Sequence, residues 1–473
     1  MVAFPAASRS GAVRERSLPD NVLMQLTDLT GTERAVAVEF ATGSEVDVTG
    51  WPDPKVRGEA LRFMLLGGIT AEPGDRAELR LAGARVEGAF EVEFADLDAP
   101  ITLKRCTFDR PVSFFGSHLR RLTLDGSEFP ELYVSNATID GTVAMVGCTS
   151  TGLVSFGGTT IGGSLLMRGA HLAGPGIAFD SPSLRVRRDV LADDGFTCRG
   201  AIRLDRAEID GILTLEGAVL DGSGDAAANS LRVPGIARGG LDDSEWSASV
   251  AFSGRHLAAR ELILLLAQPP GGLFDLRHAK LGLLRDAPAS WPPGLRIDGL
   301  SYEALADVDE RDGRLRWLRL DPRGYRPQPY AQLAQVYRAA GRDEDARTVL
   351  LAGERHRRDT LSLLGQWWGR LQDMTVGYGY RPVRACGWLA ALFTVGTVVF
   401  QWHQPRTADP GKAPDFVAPI YTLDLILPVG DFGQQSAYHP RGATVWLAYA
   451  LIVAGLILAT TVAAAGARRL RRT

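Results

Sequence analysis

Asp424 is the side chain whose surroundings single it out first. It lies within Phe416 to Val429 (FVAPIYTLDLILPV), and a carboxylate inside an apolar run marks a functional candidate. Gly430, Asp431 and Gly433 follow directly in Pro428-Val-Gly-Asp-Phe-Gly433. Asp424, Gly430, Asp431 and Gly433 thus form the candidate functional loop, set against the plainer reading in which Asp424 faces an aqueous loop. No other set of residue types converges on a reaction. Haem or an iron–sulfur cluster needs paired His or grouped Cys. The histidines, His118, His171, His256, His278, His356, His403 and His439, are scattered, and Cys106, Cys148, Cys198 and Cys386 contain no C-x-x-C pair. The cysteines are expected to be reduced and structural.

A nicotinamide or flavin enzyme would show strand, G-x-G-x-x-G, helix. The nearest material, Gly157-Gly158-Thr-Thr-Ile-Gly162-Gly163, has no helix after it and reads as corners that need positive φ. Asp98, Asp109 and Asp140 share a slot after an apolar residue, but Arg120 and Pro130 occupy it elsewhere, so a solvated corner is expected. Thr375-Val-Gly-Tyr-Gly379 spells a potassium-filter pentapeptide. The fifteen preceding residues contain Arg370 and Asp373, so it reads as a turn. Catalytic residues and cofactors therefore remain unknown, and no metal site is expected.

The elements that would position these residues begin with a repeat. Over 79–180 a small residue is followed two later by an apolar one, as in Ala84/Val86, Cys106/Phe108, Ser117/Leu119, Ser127/Phe129 and Ala137/Ile139. Between these pairs lie bulkier ones, as in Ile101/Leu103, Val112/Phe114, Leu122/Leu124 and Val143/Met145. Alternation in such short pieces means short strands. A fixed spacing of ten or eleven means a solenoid with a coil of about twenty-two residues. The pattern weakens between Gly174 and Asp194, then resumes. The fold class expected is mainly β with α: a parallel β-helix, a helical neck and two C-terminal transmembrane helices.

Four segments follow: 1–78 a helical cap region, 79–302 the solenoid, 303–382 the neck, and 383–473 a two-span membrane domain with external loop 403–442. Thr30-x-x-Glu33 is a capping box opening a helix, and Val56 to Leu66 has helical spacing. In the neck, Tyr330, Leu333, Ala334 and Tyr337 share a helical face, Gly341 ends that helix, and Asp343 opens one that buries Ala346, Val349 and Leu350. This pair is similar to one tetratricopeptide-type hairpin. The spans read from the sequence are Val383 to Trp402 and Ala443 to Ala467. Arg355, Arg357, Arg358, Arg370, Arg381 and Arg384 precede the first, and Arg468, Arg469, Arg471 and Arg472 follow the second. By the positive-inside rule both termini are expected in the cytoplasm of a bacterium, with the protein in its cytoplasmic membrane. The apolar segment 416–429 is too short to span and reads as interfacial or re-entrant.

The chain also resembles pentapeptide-repeat proteins with loosened units. More widely it resembles an actinobacterial family of β-helix proteins with two C-terminal spans, often labelled membrane-associated oxidoreductase. The resemblance rests on LTDLTGTER (26–34), LRLAGARVEG (79–88), GAIRLDRAEIDG (200–211), FDLRHAKLGLLRDAPASWP (274–292), TVGYGYRP (375–382) and YTLDLILPVGDFGQQSAYHPRG (421–442), among other segments. It implies the solenoid, its right-handed turn and an oxidoreductase label.

Composition narrows partners rather than chemistry. A net charge of −3 argues against nucleic acid, and only Lys55, Lys104, Lys280 and Lys412 are lysines among 52 basic residues. The 53 glycines are spread along the chain, as frequent tight turns require. The expected function is a membrane-tethered interaction or sensing scaffold, with lipid, a protein partner on the solenoid surface and self-association through the spans as contacts. The alternatives are the oxidoreductase and a degenerate two-helix channel, since span, segment, span is a channel's plan.

Overall fold

The computed structural model describes residues 26–71, 74–222, 250–306, 311–359, 382–408, 414–427 and 432–470. The chain forms two compact units, residues 1–253 with 258–271, and residues 254–257 with 272–473.

The first unit is a parallel β-solenoid built on two sheets. In one column Leu79 pairs with Ile101, Ile101 with Leu122, Leu122 with Val143 and Val143 with Leu165, so each coil takes the expected 21 or 22 residues. Those inward side chains are fully buried, and each coil covers its apolar row only by stacking on the next. The small slot has its own cause. At the corner of each coil the chain turns and leaves main-chain groups unpaired, and the inward residue of the next coil takes them up. Ser117 Oγ donates to the Val92 carbonyl at 2.8 Å and accepts from the Ala95 amide at 3.0 Å. Ser127 does the same for Leu103 and Cys106, and the Thr159 hydroxyl donates to Val134. Left unpaired, each buried group would cost about 1–3 kcal/mol.

The pattern weakens after Gly174 because one coil is longer. Leu165 pairs with Val190, a coil of 25 residues, and the register shifts between Ala173 and Ile177. At the near end, helix α1 (Gly31–Thr42) opens on the expected capping box, with Glu33 fully buried. Burial works to raise the pKa of Glu33. Hydrogen bonds from Arg57 and Thr30 outweigh it and hold the carboxyl below its ordinary range. Val56 is not helical as expected. Strand Lys55–Arg57 pairs with Arg85–Glu87, burying Val56 beside Val86, and α2 (Gly58–Phe63) starts only after it. Pairing on a neighbouring coil outweighs local helical spacing there.

In the second unit, strands Leu273–Asp275 and Leu295–Arg296 pair in parallel, as do Lys280–Asp286 and Ser301–Leu305. Three helices follow: α3 (Arg311–Trp317), α4 (Pro327–Ala339) and α5 (Asp343–Asp359). Helix α4 closes the last strand through its glutamines. Gln328 accepts from the Gly299 amide and donates to the Leu300 carbonyl, and Gln332 donates to the Tyr302 carbonyl at 2.7 Å. These amides do what a further coil would do, and the sheet edge is covered. The hairpin buries Tyr330, Leu333, Ala334, Tyr337, Ala346 and Val349 as expected, with Leu351 rather than Leu350 on the deepest turn.

The remaining helices are α6 (Pro382–Trp402), α7 (Ala418–Ile426), α8 (Gln434–Ala437) and α9 (Ala443–Leu470). Short α7 packs against both long ones. Phe400 meets Tyr421 edge to face at 4.9 Å, and a Cβ on Gly455 would lie 2.3 Å from the Ile426 carbonyl, so only glycine fits there. Among the described residues no helix is long and apolar enough to cross a membrane. This overturns the expected two transmembrane helices, and with them the bacterial cytoplasmic-membrane placement, the cytoplasmic termini and the external loop 403–442. The expectation rested on the apolar stretches 383–402 and 443–467, and each long helix turns part of that apolar surface onto short α7, closely enough at Gly396 and Gly455 to need glycine. The pentapeptide at 375–379 lies outside the described residues.

Candidate functional site

A polar concavity of the first unit follows from the long coil. Strands Thr149–Ser150, His171–Asp180, Thr197–Arg203 and Val219–Asp221 stack in register, with Thr149 opposite His171, His171 opposite Thr197 and Thr197 opposite Val219. Alternation sends Ser150, Leu172, Cys198 and Leu220 inward, where all are buried, and leaves the column of Thr149, His171 and Thr197 on the outer face. The extra residues between Ala173 and Ile177 swell the coil, and Gly200, at φ 118°, lets the next strand follow. A Cβ there would stand 2.6 Å from the Gly174 carbonyl. Segment 267–271 supplies a wall. The Ala267 and Gly271 amides donate to the Ala218 and Leu220 carbonyls, which holds Gln268 and Pro269 beside the strands.

The result is a groove of about 510 Å³. Its polar groups are the hydroxyls of Thr149, Thr151 and Thr197, the His171 imidazole, the Arg199 guanidinium, the Gln268 amide and the Asp221 carboxylate. His171 Nδ1 lies 2.6 Å from the Thr197 hydroxyl, which fixes the ring and leaves Nε2 at the groove. The Arg199 side chain is exposed and forms no hydrogen bond or ion pair with any described residue. Such a surface can bind and orient an oxygen-rich ligand. Beneath it, burial pushes the Cys198 thiol up to about 12, so at neutral pH it is a packing group and not a nucleophile. Cys106 and Cys148 are likewise raised by burial, to about 11 and about 12.

Asp424 proves to be a staple. Its Oδ1 accepts from the Phe432 amide at 3.0 Å, and its Oδ2 from the Gln434 and Gln435 amides at 3.0 and 2.8 Å. Three main-chain donors fold the loop back onto α7 and explain how a carboxylate 3% exposed is tolerated. Gly433 takes φ 80° at the start of α8. Gly430 and Asp431 lie outside the described residues, so of the candidate loop only Asp424 and Gly433 are brought together. The glycine cluster is a set of corners: Gly158 has φ 70°, and a Cβ on Gly162 would meet the Asp140 carbonyl at 2.2 Å.

Asp98 and Asp140 both receive hydrogen bonds from Arg120, at 2.9 Å each. His118 joins them, with Nδ1 2.9 Å from Asp96 and Nε2 2.9 Å from Asp140. A buried set on another outward row holds Asp180 3.2 Å from Arg203 and Asp205 2.6 Å from the Ser253 hydroxyl. Burial raises the pKa of Asp180, with Arg203 opposing and Asp205 adding to it. Among the described residues no group of His, Cys, Asp and Glu could hold a metal ion. Sequence reasoning missed the groove. Its only linear signals were the lengthened coil at 173–177 and the polar outer partners of the inward pairs. Neither a family model, nor a curated protein, nor a solved structure matches the chain.

Proposed function

We propose that the protein is a recognition scaffold whose ligand lies in the groove of the solenoid. One observation carries this reading. Four consecutive strands line up outward hydroxyl, imidazole and guanidinium groups, and Arg199 spends its charge on no described neighbour. Stacked coils favour this use, because each repeats its outer side chains at a fixed spacing along an extended face. The thiols nearest the groove are held in the protonated, buried state, which supports binding over thiol chemistry.

The experiment is a thermal-shift screen of the full chain against oligosaccharides, peptides, nucleotides, dinucleotides and flavins. It is run in parallel on Thr197→Trp, which fills the groove, and on Thr138→Trp, which alters another exposed strand. The expected result is a stabilising ligand class whose shift disappears in Thr197→Trp and persists in Thr138→Trp. A flavin or dinucleotide whose shift survives groove filling would overturn the reading.

A further inference from the structure

We infer that the ligand of the groove is an acidic polysaccharide, one carboxylate or sulfate of which lies between His171 and Arg199. The inference rests on the scaffold reading and names its ligand. The charge argument comes first. The guanidinium of Arg199 and the free face of the His171 ring stand on adjacent strands, and a guanidinium pairs best with a planar oxyanion. Asp221 stands in register opposite Arg199 on the next strand, so the anion is held on the His171 side of Arg199, away from that carboxylate.

The remaining surface excludes other polymers. A peptide strand would need a free sheet edge, yet strands His171–Asp180 and Thr197–Arg203 are paired on both sides. Bases would need aromatic platforms, and among the described lining residues the imidazole of His171 is the one aromatic ring. Hydroxyls and amides predominate instead, on Thr149, Thr151, Thr197 and Gln268. Adjacent strands lie about 4.8 Å apart, so four of them span roughly 14 Å. A pyranose chain repeats on a similar length, which lets successive sugars meet successive strands.

The test is titration calorimetry of the full chain with three probes: trigalacturonate, a chondroitin-sulfate tetrasaccharide and neutral maltotriose. Binding of an acidic probe is expected at least tenfold tighter than maltotriose. Arg199→Ala should lose at least tenfold in affinity and Arg199→Lys should recover part of it. Because Arg199 is exposed, an unchanged melting temperature will confirm that these variants fold. Tighter binding of one acidic probe than the other would identify the anion. Equal binding of neutral and acidic probes, no binding of any, or insensitivity to Arg199→Ala would overturn the inference. The scaffold reading would still stand if another class in the thermal screen loses its shift in Thr197→Trp. It falls as well if no class does.

Discussion

Two ionic clusters in this chain use the same chemistry and should differ widely in what they contribute. In the second unit, Arg314 forks onto Asp286, Trp291 Nε1 donates to the same carboxylate at 2.9 Å, and the indoles of Trp291 and Trp317 lie 5.9 and 5.5 Å from the guanidinium. Both charged side chains are 3% exposed. In the first unit, Arg120 bridges Asp98 and Asp140 at 2.9 Å, but those side chains are 51%, 91% and 43% exposed. Geometry is nearly equal; solvation is not. Burial weakens the case for charge on Arg314, and the Asp286 carboxylate more than offsets it, raising its pKa. The lesson is that breaking a buried pair strands a desolvated charge, whereas breaking an exposed one returns it to water.

The largest test removes Asp286. Asp286→Ala leaves Arg314 buried without a counter-ion and Trp291 without its acceptor, so a loss of about 3–5 kcal/mol is expected in chemical unfolding. The double variant Asp286→Leu with Arg314→Met should recover most of it, because apolar groups of similar volume need no compensation. A single-variant loss below about 1 kcal/mol would place the buried pair in the same class as the exposed one and break the comparison.

Asp424 sharpens it from the other side, as a buried carboxylate satisfied by amides and not by a cation. Asp424→Ala unpairs the Phe432, Gln434 and Gln435 amides, and a local loss of about 2 kcal/mol is expected. Hydrogen exchange should read this as lost protection at those amides, with the solenoid strands unchanged. Unaltered protection would show that the carboxylate is not the staple.

Legibility in the sequence divides along the same physical line. The coil was readable because burial imposes period two, and Ile101, Leu122, Val143 and Leu165 repeat at the spacing the pairing confirms. The capping box at Thr30 and Glu33 was readable because both partners lie within one turn. The groove was not, since Thr149, His171 and Thr197 are brought together by coil stacking across 48 residues and share no linear motif. Asp424 was visible as an anomaly, but its partners are backbone amides, which any residue type supplies. The apolar stretches near 383–402 and 443–467 carried the span reading because hydropathy alone does not register what packs on them. In the structure, α7 packs against both, at Gly396 and Gly455.

The smallest effect is the most diagnostic. Both nitrogens of His118 face carboxylates, Asp140 and Asp96, so only the imidazolium donates to both. The hydrogen bond to Asp140 is the main cause that raises its pKa above the ordinary 6.5. The same contact lowers Asp140 below 3.8, with Arg120 adding to it. A raised histidine contributes stability that is complete below 6.5 and disappears as pH climbs through the folded value. A lowered carboxylate contributes above 3.8 and fades as pH falls through its folded value. The clasp should therefore stabilise most between these limits and weaken on either side. At 38% exposure the contribution of His118 is screened to about 0.5 kcal/mol at most. Unfolding free energies of the unaltered chain and of His118→Gln should differ by that amount near about pH 5 and converge by about pH 9. A gap independent of pH would mean that the ring holds the coils by packing rather than by charge, and the exposed cluster would then differ from Arg314–Asp286 in kind as well as in size.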